Sequence, residues 1–267
     1  AIHPVYIVGS EVPIPGGAQE ENAGMQVTKP EDFKNTVATF EKAFDDMGIA
    51  DAWNHVIAAV VQPGVEEKDG CEEYDRERAK DLMASIKDFD KLVFEGHSTD
   101  YQTKYKLREL VEDGVGILKV GPGLTYAARE GIFSLCMIEE ELAAVYGFET
   151  SHFREELDKA MLANPGKWAP YYHGTENEIA FKRKYSFSDR CRYYLPQENV
   201  KNALAKLLTN LKEHPVPLPL LSQYMPFQYT MVREGKLNNT PEDLIKARVM
   251  YTIEEYTYAS HQEELVR

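Results

Sequence analysis

Four short apolar runs recur through the first half of the chain, and each gives way to a polar residue and then to a helical stretch. The runs are Val5–Val8 leading to Glu11, Val56–Val61 to Gln62, Leu92–Phe94 to Glu95 and His97, and Val115–Leu118 to Lys119. Unbroken hydrophobic runs mark parallel strands buried on both faces, whereas strands with one wet face alternate. Strands are therefore predicted at 5–9, 56–61, 91–96 and 115–120. Between them, Pro30 sits at a first-turn position ahead of Phe33, Val37, Phe40 and Phe44, which predicts a helix ending near Gly48. A charged helix is predicted over 75–87, and another over 100–113, where Thr99 and Gln102 have the spacing of a capping box. The next, 124–146, carries Leu124, Ala127, Ala128, Ile132, Leu135 and Ile138 on one side.

From about residue 151 no further buried-type strand follows. Helices are predicted near 151–163, 197–213, 222–235 and 240–262, with Pro215, Pro217 and Pro219 breaking the chain between two of them. The class is α/β, with βα units over 1–150 and a helical extension over 151–267 that packs on them or lids them. Four βα units are about half of what a closed (β/α)8 barrel requires. The aromatic residues Trp168, Tyr171, Tyr172, Tyr193 and Tyr194 read as packing of the extension or as a lid, with packing preferred.

Composition narrows the partners. A formal charge of −14 over 267 residues argues against nucleic acid or an anionic membrane, since phosphate-binding surfaces concentrate cations. A small phosphorylated ligand is still allowed, because it needs only a local basic pocket. Cys71, Cys136 and Cys191 are widely spaced, without a CxxC, which fits a reducing cytoplasmic compartment. No run of about 18 uncharged apolar residues is present, and the opening residues do not read as a signal peptide. The chain opens Ala1-Ile2-His3-Pro4 and reaches a core-type strand almost at once, which reads as an end cut within a larger fold.

In a barrel strand alternate residues point inward. Val93, Glu95 and His97 share a parity, as do Ile117 and Lys119, and Gly9 and Glu11, so each set places its polar member at the strand's end. His97 reads as a metal ligand or proton shuttle, or as a hydrogen-bonded structural residue. Glu11 and Glu95 could complete a site for Zn, Mn or Co. Glu95 can equally pair with Lys119 as a structural ion pair, which is the preferred reading. Lys119 suits a sugar hydroxyl, a phosphate or a buried base. Asp100 reads as a helix-start residue favoured by the macrodipole, or as a catalytic or substrate-binding group. A second cluster, Lys182 to Tyr194, concentrates basic residues beside hydroxyls. There Arg190 and Arg192 form either a phosphate clamp or, as the preferred reading, a structural network with Asp189. No Walker loop, GxGxxG, GxSxG or HExxH is present, so motif evidence gives a nucleotide-dependent kinase no support.

The strings Gly9-Ser-Glu-Val-Pro-Ile-Pro-Gly-Gly17, Val60-Val-Gln-Pro-Gly-Val65, Glu95-Gly-His-Ser-Thr-Asp-Tyr-Gln-Thr103, Ile117-Leu-Lys-Val-Gly-Pro122, Tyr185-Ser-Phe-Ser-Asp-Arg-Cys-Arg-Tyr-Tyr194 and Ser222-Gln-Tyr-Met-Pro226 occur in the order of one family. Across nearly its whole length the chain resembles the non-catalytic, Z-type (GatZ/KbaZ-like) subunit of class II D-tagatose-1,6-bisphosphate aldolase. The resemblance implies a TIM (β/α)8-barrel fold, of which this chain matches the second half plus an α-helical C-terminal extension. It implies a cytoplasmic protein of galactitol, N-acetylgalactosamine or tagatose catabolism that stabilises and activates a separate catalytic aldolase subunit. Some members are described as metal-dependent 4-epimerases of fructose and tagatose or their 6-phosphates, which is the alternative activity. On that reading Glu11 and His97 hold a divalent metal, Asp100 and Lys119 are catalytic, and Gln62, Ser98, Arg190 and Arg192 bind substrate. The implied partners are the aldolase subunit, a sugar or sugar phosphate, an N-terminal barrel half absent from this sequence, and further copies in an oligomer. Members carry about 150 further residues ahead of this start, with a Gly-Gly-Asp-His-Leu-Gly-Pro motif and a His-Leu-Asp motif that this sequence lacks.

Overall fold

The computed structural model describes residues 4–9, 26–66 and 69–262. Strand β1 spans Tyr6–Val8 and helix α1 Pro30–Asp46; β2 spans Val56–Val61 and α2 Arg76–Ser85; β3 spans Val93–Gly96 and α3 Lys104–Glu112; β4 spans Val115–Leu118. All three strand pairings are parallel, in the order β1-β2-β3-β4. The helices then run α4 Pro122–Tyr146, α5 Phe153–Ala163, α6 Glu176–Tyr185, α7 Glu198–Glu213, α8 Leu218–Tyr224, α9 Pro226–Arg233 and α10 Pro241–Ala259. None among the described residues is long and apolar enough to cross a membrane.

The chain divides into two compact units, residues 1–121 with 255–267, and residues 122–254. The sequence pattern divides it at 150/151; the contacts instead assign α4 to the second unit and the end of α10 to the first.

In the first unit one sheet face is closed. Val8, Ala59, Phe94 and Val115 lie side by side in register and pack on Phe33, Val37, Leu82, Leu107 and Leu110 from the helices. Phe33 meets Phe94 edge-on at 4.9 Å between ring centres, an arrangement aromatic quadrupoles favour. The opposite face is open: Ile7 is 43% and Val93 38% exposed, while Val60 and Ile117 are half-buried. Within this chain the helices bury one of the two faces. A register shift skips Gly116, so that Phe94 pairs with Val115 and Glu95 with Ile117. This bulge bends β4 just before Lys119.

Helix α3 starts at Lys104, later than the pattern predicts, and its N-cap is Thr103, whose side chain accepts from Lys106 N–H. Gln102 does not cap it. Its buried amide accepts from Tyr74 N–H at 2.9 Å and donates to the Glu72 carbonyl at 2.8 Å, tying two loops together. Asp75 caps α2 by accepting from Glu77 and Arg78.

The second unit is helical and has its own core, with Leu135, Ile138, Phe153, Met161, Leu207 and Leu221 among its members. Trp168, Tyr172 and Tyr194 are buried in it, so these aromatics pack the unit. The stretch predicted as one helix over 222–235 is two, α8 and α9, because Pro226 removes an amide donor and starts a new first turn. Helix α6 was not read from the sequence; it is opened by a reciprocal capping box between Thr175 and Glu178.

Candidate functional site

The C-terminal ends of β3 and β4 gather the polar groups of the first unit. Glu95 occupies the row Val60–Glu95–Ile117 on the open face, so the pleat alone fixes its direction. Although on that face, it is only 4% exposed. Its Oε1 lies 2.7 Å from His97 Nε2 and 3.8 Å from Lys119 Nζ. His97 rather than Lys119 is thus its nearer partner. Lys119 is more than half exposed, and its ammonium contacts the pair loosely.

The loop after β3 is held by its own side chains. Asp100 is 2% exposed and its Oδ1 accepts Gly121 N–H at 2.8 Å, joining the ends of β3 and β4. It therefore precedes α3 without starting it. Thr99 is buried; its hydroxyl donates to the Lys119 carbonyl at 2.8 Å, and Tyr256 of α10 donates to the Thr99 carbonyl at 3.1 Å. Ser98 and Tyr101 adopt left-handed backbone, with φ of 55° and 62°. Such conformations are strained for non-glycine residues and persist where surrounding bonds impose them. The tethers from Asp100, Thr99 and Tyr256 supply those bonds.

Gln62 stands at the end of β2. Its Oε1 accepts from Gly64 and Val65 N–H at 2.8 and 3.1 Å, which shapes the Pro63-Gly64 turn. Its backbone pairs with Thr28 in both directions. The carboxamide oxygen is thereby committed to the turn.

Glu11 lies outside the described residues. Among those described, no three His, Cys, Asp or Glu side chains converge, whereas a catalytic metal takes about three protein ligands. His97 directs Nε2 at Glu95, and the two are a dyad. The described rim residues by themselves therefore do not make a site for a divalent metal.

Arg190 and Arg192 belong to the second unit. Arg190 is buried, its guanidinium 3.3 Å from the Tyr171 ring centre and donating to the Lys167 carbonyl. Arg192 donates to the Ser188 and Asp189 carbonyls and to the Tyr193 hydroxyl. Nearby Arg183 forms a fork on Asp158 at 2.7 and 3.0 Å, and Lys182 bonds the His173 carbonyl. The basic cluster is thus dispersed onto separate partners.

Asp189 serves other groups than the sequence suggests. It is buried with φ of 46°, and it accepts from the Thr125 hydroxyl at 2.5 Å and the Cys191 thiol at 3.2 Å. Burial pushes its carboxyl above the ordinary carboxylate value, against the pull of Thr125, Cys191 and Arg129. The same burial raises the Cys191 thiol well above its usual range, so it is no ready nucleophile.

Sequence reasoning missed Thr99, Tyr256 and Arg129. Thr99 sat in the same string as His97 and was assigned to a cap. Arg129 could have been found from Tyr126 and Phe133, which lie three residues before and four after it on one helix face.

Two comparisons bear on this geometry. Residues 1–261 match the family model described as D-tagatose-1,6-bisphosphate aldolase subunit GatZ/KbaZ-like. The structure is also similar to a crystal structure from Sinorhizobium meliloti 1021 described as a probable tagatose 6 phosphate kinase. The TM-score is 0.86 at 38% identity, covering 96% of this chain and 62% of that one. The chain thus spans less than two thirds of that protein's length.

Proposed function

The chain belongs to the D-tagatose-1,6-bisphosphate aldolase subunit GatZ/KbaZ-like family, and on that premise we propose that it serves in tagatose catabolism as an accessory subunit. Its role is to stabilise and activate a separate catalytic class II aldolase. The observation that carries this reading is the family match over residues 1–261. The chemistry of the rim supports it: Glu95, Asp100, Thr99 and the Gln62 oxygen are spent on neighbouring groups of the protein. Such a rim is built to hold its shape.

The first unit supplies four strands and the helices α1, α2 and α3 of a (β/α)8 barrel, completed by further βα units in the same or a second chain. The open sheet face with Ile7 and Val93 supports this, since an apolar interior face is not left wet in a finished barrel. The three cysteines, all free, favour a reducing cytoplasm.

A second reading, a 4-epimerase of fructose and tagatose or their 6-phosphates, is favoured by the convergence of Glu95, His97 and Lys119 at one rim. There Lys119 would bind substrate oxygens, while Asp100 would position the loop that carries His97. Ser98 remains the sugar-contacting choice at this rim in that reading, and a divalent metal would draw on Glu11 and His97.

The test uses the intact protein, this chain with the rest of its barrel. It is mixed with the catalytic aldolase subunit and cleavage of D-tagatose-1,6-bisphosphate is followed over time. A gain in rate or lifetime is expected, and no gain overturns the accessory role. A parallel assay without aldolase, on fructose, tagatose and their 6-phosphates with Mn, Co or Zn, reads the epimerase directly.

A further inference from the structure

Helix α4 presents Tyr126, Arg129, Glu130, Phe133, Ser134 and Met137 along one face, at the three- and four-residue steps that stack side chains on a helix. This face forms one wall of a cleft of about 460 Å³ in the second unit, and residues of α9 and Arg248 of α10 form others. That volume falls in the range of small-ligand sites, roughly 300–1,000 Å³. Gly131 lets α10 approach: a Cβ there would stand 3.3 Å from the Ile245 backbone, and the same approach brings Arg248 alongside.

Arg129 is the unusual member. It is 3% exposed, yet it is covered mainly by rings, with its guanidinium carbon 3.9 Å from the Tyr126 centre, 4.8 Å from Phe133 and 5.7 Å from Tyr185. Its Nε has no hydrogen-bond acceptor, and the closest carboxylate oxygen, on Asp189, is 3.6 Å away. Asp189 gives its own close contacts to Thr125 and Cys191. A guanidinium buried with an unmet donor is costly unless something else accepts from its fork. Arg154, which also lines the cleft, likewise has a buried Nε without an acceptor and pairs outward with Glu140.

The lining holds three arginines, with Arg129 near Asp189, Arg154 on Glu140 and Arg248 on Glu130, and of these carboxylates only Glu130 itself lines the cleft. Glu130 itself is taken by Arg248 at 2.5 Å. The remaining walls are aromatic, and Phe227 is stacked on Tyr251 at 5.2 Å while staying 61% exposed. A flat apolar group can lie on such a ring, with an anionic group reaching the guanidinium forks.

We propose that this cleft binds a small organic oxyanion, a phosphate or carboxylate carried on a flat apolar body. The site lies wholly in the helical unit, so it stands independently of the accessory-subunit reading and of the rim around His97.

Isothermal titration of the full chain tests it, with phenyl phosphate, benzoate and inorganic phosphate as probes. Phenyl phosphate or benzoate binds at least about tenfold more tightly than inorganic phosphate. Binding of one but not the other identifies the anion, and either result supports the site. Arg129→Lys keeps the charge but loses the fork, and weakens binding by about tenfold or more. Should that variant fold poorly, Arg248→Ala and Phe227→Ala, both nearer the surface, each weaken binding severalfold. The proposal is overturned if neither probe binds, if inorganic phosphate binds as well as phenyl phosphate, or if all three substitutions leave the affinity unchanged. Loss of binding in Lys119→Ala with retention in Arg248→Ala overturns it as well, by moving the ligand to the first unit.

Discussion

The Oε1 of Glu95 stands 2.7 Å from His97 Nε2, across a two-residue step that leaves the end of β3. Residues two apart lie on the same side of a strand, so this pair needs no tertiary accident to meet. What the rest of the fold adds is burial of the carboxylate, which makes its partners matter.

Glu95→Ala removes the buried acceptor shared by His97 and Lys119, and should cost about 1–3 kcal/mol of stability. Lys119→Ala, at an exposed head group, should stay within about 0.5 kcal/mol. Urea denaturation followed by circular dichroism compares the two. Equal midpoints would show that the buried dyad carries no weight.

Asp100→Ala should free the Gly121 amide, while Asp100→Asn, which keeps an acceptor oxygen, should retain most of its protection. Amide hydrogen exchange at Gly121 measures this directly. Unchanged exchange in the alanine variant would mean the 2.8 Å bond does not hold that turn.

Tyr256→Phe deletes the hydroxyl that bonds Thr99, at a cost of about 0.5–1.5 kcal/mol. Exchange should quicken across 98–101, where Ser98 and Tyr101 hold left-handed backbone. A faster rate confined to α10 would place the effect in the helix and not in the loop.

Stability should depend on pH through Asp189. Its carboxyl is raised in the folded state, chiefly by burial, from an ordinary value of 3.8. Between that value and the raised one the folded chain holds the extra proton, so stability falls as pH climbs through the window. Above it the full penalty applies. Asp189→Asn, which tolerates the same left-handed backbone, should lose this decline, and its urea midpoint should gain on the parent as pH rises. A constant difference between the two across the window would refute the shift.

Gly131→Val should be destabilising by about 1–3 kcal/mol, because its side chain must displace the α10 backbone. It should also weaken phenyl phosphate binding by moving Arg248. A stable variant with α10 unmoved in a crystal structure would dispose of the close-approach argument.

The sequence by itself determined the strands, their parallel class and the residues at their ends. Val56–Val61 is a strand in both readings because it is an unbroken apolar run whose β-branched pairs, Val56-Ile57 and Val60-Val61, favour the extended conformation. It also placed Glu95, His97 and Lys119 on one side by parity alone, and the order of its motifs carried the family.

Only the tertiary structure decided where polar groups spend their bonds. Gln102 has the spacing of a cap, yet it bridges Glu72 and Tyr74, about 30 positions earlier in the chain. Asp189 looked like a partner for its neighbours Arg190 and Arg192, but packing put Thr125 and Arg129 against it. Likewise the strand pattern could not tell which sheet face these helices cover, since Val93 and Phe94 are equally apolar and only Phe94 packs against them. Propensity and periodicity are local properties of the chain. Hydrogen-bond partners and burial depend on residues far away in sequence, and those meet only when the chain has folded.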